Sequence, residues 1–252
     1  MNALLLRGLS REQRHWGKFP SILGARLQGE VFCLDLPGAG TEFQRPSPNG
    51  LPLIMEDVRA RWTALRDSHS GPWVLIGMSL GGMVAMQWGA TYASDFATIV
   101  LCNTSASNLS SPWERINVGV LRAMTSGDPV ERERIILAAT TRLTTDLDAI
   151  AREWATYQVD QPVSRMNVLR QLWAASRFTA PSSLPVPTLV LSGGDDPLTS
   201  PACSRRLANH FHAVLKVHPT AGHELALDSP DWFADSIAEW LETIEPPTRA
   251  GA

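Results

Sequence analysis

A chain of 252 residues with 44% hydrophobic and 19% charged residues has the length of one domain, or one domain with an insertion, and too much apolar content for disorder. Its net charge of −3 offers no basic excess to neutralise phosphates, which argues against nucleic-acid and membrane partners. Three cysteines at positions 33, 102 and 203 match no zinc spacing and no disulfide framework, which fits a reducing cytoplasm.

The apolar run at the N-terminus, Ala3-Leu4-Leu5-Leu6, is too short for the core of a signal peptide. No stretch approaches the ~18 apolar residues of a membrane span. The expectation is a soluble cytoplasmic protein. Short apolar runs at 3–6, 31–36, 73–77, 98–103, 188–192 and 214–217 read as strands. Several are apolar at consecutive positions, as parallel strands covered on both faces require. Helical patterns fall between them at 54–68, 80–92, 201–211 and 230–244. This alternation predicts a doubly wound, mostly parallel α/β sheet with helices on both faces.

One region breaks the rhythm. No strand pattern occurs between 105 and 181, whereas helical patterns occur at 113–124, 129–143, 147–158 and 163–178. The expected organisation is therefore a core of 1–104 and 182–252 with a helical cap of 105–181. Trp113, Trp154 and Trp173 lie in the cap, where core packing is favoured over pocket lining. The tail, 246–252, reads as frayed.

The run Trp73 to Gly77 is followed by Met78-Ser79-Leu80-Gly81-Gly82 and then a helical stretch. Gly77-x-Ser79-x-Gly81 thus sits where a strand turns sharply into a helix. Such a turn lifts a serine oxygen above the sheet, and flanking glycines make room for it. A serine hydroxyl needs a base to act as a nucleophile at neutral pH. Of six histidines only His223 follows the last strand-like run in a loop at the carboxyl edge, the place where such sheets carry their chemistry. The orienting acid is expected after the preceding strand, in Gly193-Gly194-Asp195-Asp196-Pro197. Asp196 is assigned and Asp195 taken as a turn residue, because the residue before proline is held extended. The separation, 223 − 196 = 27 positions, leaves room for one helix and one strand. Two backbone N–H groups must hold the oxyanion. Leu80 supplies one, and Leu9 in the loop Arg7-Gly8-Leu9-Ser10 is the candidate for the other.

These pieces, with Asp35-Leu36-Pro37-Gly38-Ala39-Gly40, resemble the α/β-hydrolase superfamily over nearly the whole chain. Within it the chain is similar to small capped carboxylesterases, including pimeloyl carrier-protein methyl ester esterases. The resemblance implies hydrolysis of a small-molecule carboxylic ester or thioester, carrier-linked in some relatives, through Ser79, His223 and Asp196. It implies no metal or organic cofactor. Alternatives on the same residues are C–C hydrolysis, lyase or acyltransferase chemistry, and a hydrolase-fold binding protein. The chain departs from the family in carrying Arg7 where His usually precedes Gly8. Arg7, Arg11, Arg14 and His15 make that loop read as locally basic, either a solvated loop or a site for an anionic group.

Overall fold

The computed structural model describes residues 1–117, 119–120, 123 and 126–244. Strands β1 (Asn2–Leu6), β2 (Val31–Leu34), β3 (Trp73–Met78), β4 (Thr98–Cys102), β5 (Thr188–Gly193) and β6 (Val214–His218) form one sheet. All neighbours are parallel, in the order β2-β1-β3-β4-β5-β6. Register places Leu4 opposite both Phe32 and Leu75, and Gly77 opposite Leu6 and Leu101. Strand β2 ends at Leu34 rather than at 36. Asp35 turns aside to accept from the N–H groups of Gln13 and Thr41, at 2.7 and 2.9 Å.

Helices α1 (Phe19–Leu27), α2 (Leu51–Asp67) and α3 (Leu80–Thr91) fill the first half of the chain. Helix α1 was not expected, because Pro20 and Gly24 weaken its signal and it buries only Phe19 and Leu23. Proline is nevertheless well suited to a first helical turn. The same preference lets α2 start at Leu51, with Pro52 in its first turn, ahead of the expected 54. Between β4 and β5 lie α4 (Pro112–Arg115), α5 (Pro129–Ala138), α6 (Leu147–Asp160) and α7 (Arg165–Arg177), with no strand among the described residues. The chain closes with α8 (Pro201–Phe211), α9 (Leu225–Asp228) and α10 (Pro230–Thr243). The proposed fraying at 246–252 lies outside the described residues.

Alternation along each strand sends side chains to two cores. Leu4, Leu6, Leu75 and Leu101 pack with Ile54, Val58 and Trp62 of α2 and Val84 and Trp88 of α3. Ala3, Leu5, Ile76 and Val100 pack with Phe19 and Leu23 of α1 and Phe233, Ile237 and Trp240 of α10. Both faces of the sheet are thus covered over its central strands, which are mostly apolar, whereas the edge strand β6 is partly exposed and carries Lys216 and His218.

Two helices expected between β4 and β5 stop well short of their patterns, and α7 loses a residue or two at each end. The first stops at Arg115, and Ile116 is extended. Asn117 then bonds out of the helix, its N–H to Leu198 O at 2.9 Å and its Nδ2 to Pro197 O at 3.1 Å. The remainder of that pattern, toward 124, lies partly outside the described residues. Helix α5 stops at Ala138. The N–H groups of Arg142, Leu143 and Thr144 instead meet the Asp228 carboxylate, at 2.8, 3.1 and 3.2 Å. Tertiary partners outbid the helix ladder in both places.

The cap tryptophans divide. Trp154 is buried with Leu137 and Ala151 and lies edge-on to His15 at 4.7 Å. Trp113 and Trp173 are 80% and 55% exposed, neither cap core nor lining of the main cavity. The expectation of core packing therefore fails for these two, because α4 and α7 turn those positions outward.

Candidate active site

The site begins with β3, flanked by β1 and β4, which delivers Ser79 to the carboxyl edge of the sheet. Ser79 has φ +55° and ψ −118°, a region costly for a residue with a Cβ by about 1–3 kcal/mol. The surroundings hold it there. Its N–H donates to Cys102 O at 2.9 Å, and its carbonyl accepts from Thr104 Oγ1 at 2.7 Å. The flanking glycines are required by close approach. A Cβ on Gly77 would lie 2.3 Å from Gly81 O, and one on Gly81 would lie 2.2 Å from Leu6 O.

Strand β5 runs into the acid loop. Asp195 is exposed and Asp196 is buried. Asp196 Oδ1 accepts from the N–H groups of Leu198 and Thr199, at 2.8 and 2.9 Å. Its Oδ2 lies 2.7 Å from His223 Nδ1. Two backbone donors on one oxygen leave the other aimed at the imidazole. Burial alone would push the His223 imidazole down. The adjacent Asp196 carboxylate overrides it and holds the group above its ordinary value. With Nδ1 committed to Asp196, Nε2 is the ring nitrogen left for chemistry. His223 and Ser79 line one cavity of about 340 Å³, with no direct hydrogen bond between them among the described residues. Leu9 and Leu80 line it too. Gly8 abuts the serine, since a Cβ there would stand 3.0 Å from Ser79 Cβ. The N–H groups of Leu9 and Leu80 have no protein acceptor among the described residues.

Sequence reasoning missed the residues that fix this geometry. Asn103, buried at φ +46°, accepts from Gly193 N–H at 2.9 Å. Its Nδ2 donates to the carbonyls of His223 and Gly222, at 2.7 and 3.3 Å. One amide thus ties the acid strand to the histidine loop. Asp228 accepts from Gly222 N–H at 2.8 Å as well as from the loop after α5, which ties that loop to the histidine segment. No local pattern marks either residue. Asn103→Ala should lower kcat by about 10²-fold with little change in KM, since small misplacements of a catalytic group have that cost. Steady-state kinetics on one ester checks this.

The loop read as basic is not basic in the fold. Arg7 and Arg11 are buried, and their charges are matched by Glu224 and Glu133, each at 2.7 Å. Arg14 meets Glu12 at 2.7 Å and Asp160 at 3.0 Å. Burial, with Arg11 and Arg7 nearby, drives His15 well below its ordinary value, so it is neutral. Neither the solvated loop nor a free anion site at Arg7 stands. The signal missed was long-range, because Glu133 comes from α5 and Glu224 follows the histidine. Glu133→Gln removes the near partner of buried Arg11, leaving Glu224 at 3.9 Å, and should destabilise the fold by about 3 kcal/mol in urea titration.

Cys102 and Cys203 are buried, and burial pushes the half-buried Cys33 thiol up to about 12, so none is poised as a nucleophile. Among the described residues no cluster of His, Cys, Asp and Glu is placed to hold a metal ion, and no helix is long and apolar enough to cross a membrane.

A parallel sheet with a strained serine at the strand–helix elbow and an acid–histidine pair on later loops defines the α/β-hydrolase class. The chain belongs to the alpha/beta hydrolase family, whose model matches residues 3–236. A monoacylglycerol lipase of Mycolicibacterium smegmatis is 27% identical over 229 residues, covering 84% of this chain and 77% of that protein. Among solved structures, a thermophilic esterase from Thermogutta terrifontis superposes with a TM-score of 0.70 at 22% identity, covering 96% of this chain and 89% of that one. A meta-cleavage product hydrolase from Pseudomonas fluorescens superposes at 0.74 with 17% identity, covering 96% and 90%.

Proposed function

We propose that this protein is a serine hydrolase that cleaves a small-molecule carboxylic ester or thioester, and that it works in the cytoplasm. The observation that carries the reading is the buried Asp196–His223 pair opening onto the cavity that holds the strained Ser79. Esterase and lipase relatives favour an ester over other acyl bonds.

In this reading Ser79 Oγ attacks the ester carbonyl while His223 Nε2 takes its proton. The Ser79–His223 hydrogen bond forms as the substrate docks; in free enzymes such bonds are commonly long. The N–H groups of Leu80 and Leu9 hold the developing oxyanion, and the start of α3 adds its positive end. Asp196 keeps the imidazole in the needed tautomer and stabilises imidazolium. His223 then protonates the leaving alcohol or thiol. Water, deprotonated by His223, releases the acid from Ser79. The α4–α7 region acts as a cap that sets substrate choice, since Ile116, Ile136, Val168 and Leu172 line the cavity.

The test is labelling by a fluorophosphonate together with a panel of esters and thioesters of graded acyl length. Labelling at Ser79 with turnover of one or more panel members is the expected result. A folded protein that neither labels nor turns over any member would overturn it.

A further inference from the structure

The cavity wall carries more cation than its acids balance. Among the described residues five arginines line it, Arg7, Arg11, Arg115, Arg132 and Arg165, against two carboxylates, Glu133 and Glu224. Those carboxylates are spent on Arg7 and Arg11. Arg115, Arg132 and Arg165 all come from the α4–α7 region, and none forms an ion pair among the described residues. The undescribed positions there, 118, 121, 122, 124 and 125, include no acid.

Arg115 is the most committed of the three. Its Nε donates to Ser105 Oγ at 3.3 Å, and Nη1 and Nη2 donate to the carbonyls of Ser176 and Ala175, at 3.0 and 2.5 Å. These neutral acceptors aim the guanidinium without cancelling its charge, beyond what the carbonyl end of α7 offsets. Two of its five N–H groups stay uncommitted. Burial pushes it below its ordinary value, the opposite of the acid-paired Arg45. Arg132 gives Nη2 to Ser126 O at 2.9 Å, and its buried Nε has no partner among the described residues. Unpaired guanidinium charge and orphaned donors beside apolar side chains are costly unless an acceptor arrives. A planar oxyanion suits the arginine fork best.

We propose that Arg115, Arg132 and Arg165 form an oxyanion subsite, and that the substrate carries a carboxylate or phosphate besides the bond cleaved. This rests on the ester-hydrolase reading above. The anion can sit on the acyl chain or on the leaving alcohol, and the chemistry at the arginines is the same.

Two matched pairs separate those sources. One is a set of dicarboxylic acid monomethyl esters against monocarboxylic methyl esters of equal length. The other is acylglycerol phosphate against acylglycerol. Wild-type protein should favour the charged member of one pair by about tenfold or more in kcat/KM, through KM. Arg115→Gln and Arg132→Gln should each cut that preference by about tenfold, and Arg115→Lys should retain part of it. Arg132 makes a single side-chain bond among the described residues, so its variant carries the test if Arg115→Gln fails to fold. Equal turnover of charged and neutral members would overturn the subsite and leave the hydrolase reading intact. Calorimetry on the Ser79→Ala protein with adipate, suberate and acylglycerol phosphate gives a readout independent of turnover. Binding that weakens about tenfold in the Arg132→Gln background supports the subsite even if no ester is cleaved. Absence of binding by all three overturns it.

Discussion

Ser79→Ala should abolish fluorophosphonate labelling and lower kcat on the best ester by about 10⁶-fold, with the fold retained. The magnitude follows from how nucleophile, base and acid act as a unit, since removing a catalytic serine costs about as much as removing all three members. Alanine keeps the Cβ and deletes only the oxygen, so the positive φ and the Ser79 N–H bond to Cys102 stay satisfied. Circular dichroism and intact-mass analysis after labelling check both halves. An adduct on Ser10, which also lines the cavity, would move the nucleophile to the loop after β1. Turnover at wild-type rate in the alanine protein would end the mechanism.

The second large effect separates two adjacent aspartates. Asp196→Asn should keep the fold and lower kcat by roughly 10⁴-fold, the loss seen in serine proteases when the same change leaves the imidazole in the wrong tautomer. Asp195→Asn, on an exposed side chain, should cost about tenfold or less. The pH profile gives an independent check. His223 acts as a base only when neutral, and Asp196 holds it above its ordinary value. Labelling of Ser79 should therefore rise with pH through a limb above 6.5, the ordinary imidazole value. In Asp196→Asn the anion that raises the group is gone while burial remains, so the limb should move down. A limb unmoved in Asp196→Asn, or a crippled Asp195→Asn, would place the orienting acid elsewhere.

Much of this architecture is written locally. Several runs apolar at consecutive positions point to a sheet covered on both faces, and all six runs lie in the parallel sheet, with β6 partly exposed at its edge. Gly77-x-Ser79-x-Gly81 was legible because the elbow leaves no room for side chains: a Cβ on Gly77 would meet Gly81 O at 2.3 Å, and one on Gly81 would meet Leu6 O of β1 at 2.2 Å. Helix ends were less legible. The pattern over 113–124 continues past Arg115, yet the chain leaves the helix to bond Pro197 and Leu198, residues about eighty positions away. Helix α1 was invisible for the converse reason. Packing of Phe19 on Phe233, with ring centroids 4.3 Å apart, sustains a segment whose own propensity is poor.

The sequence by itself therefore determined the class of sheet, the elbow serine and the loops from which an acid and a histidine would come. These depend on periodicity and on a glycine spacing that is readable within a few residues, even though the crowding at Gly81 comes from Leu6 of β1. Tertiary structure alone decided the charge of the loop after β1, the roles of Asn103 and Asp228, and the balance of arginine and glutamate around the cavity. An arginine's charge is visible in a sequence, but its effect depends on which carboxylate folding brings within 3 Å. Arg7 found Glu224, 217 positions away, and Arg11 found Glu133, 122 away, while Arg115 and Arg132 found no acid among the described residues. Coulomb energy falls with distance in space and not along the chain, so only the fold assigns those partners.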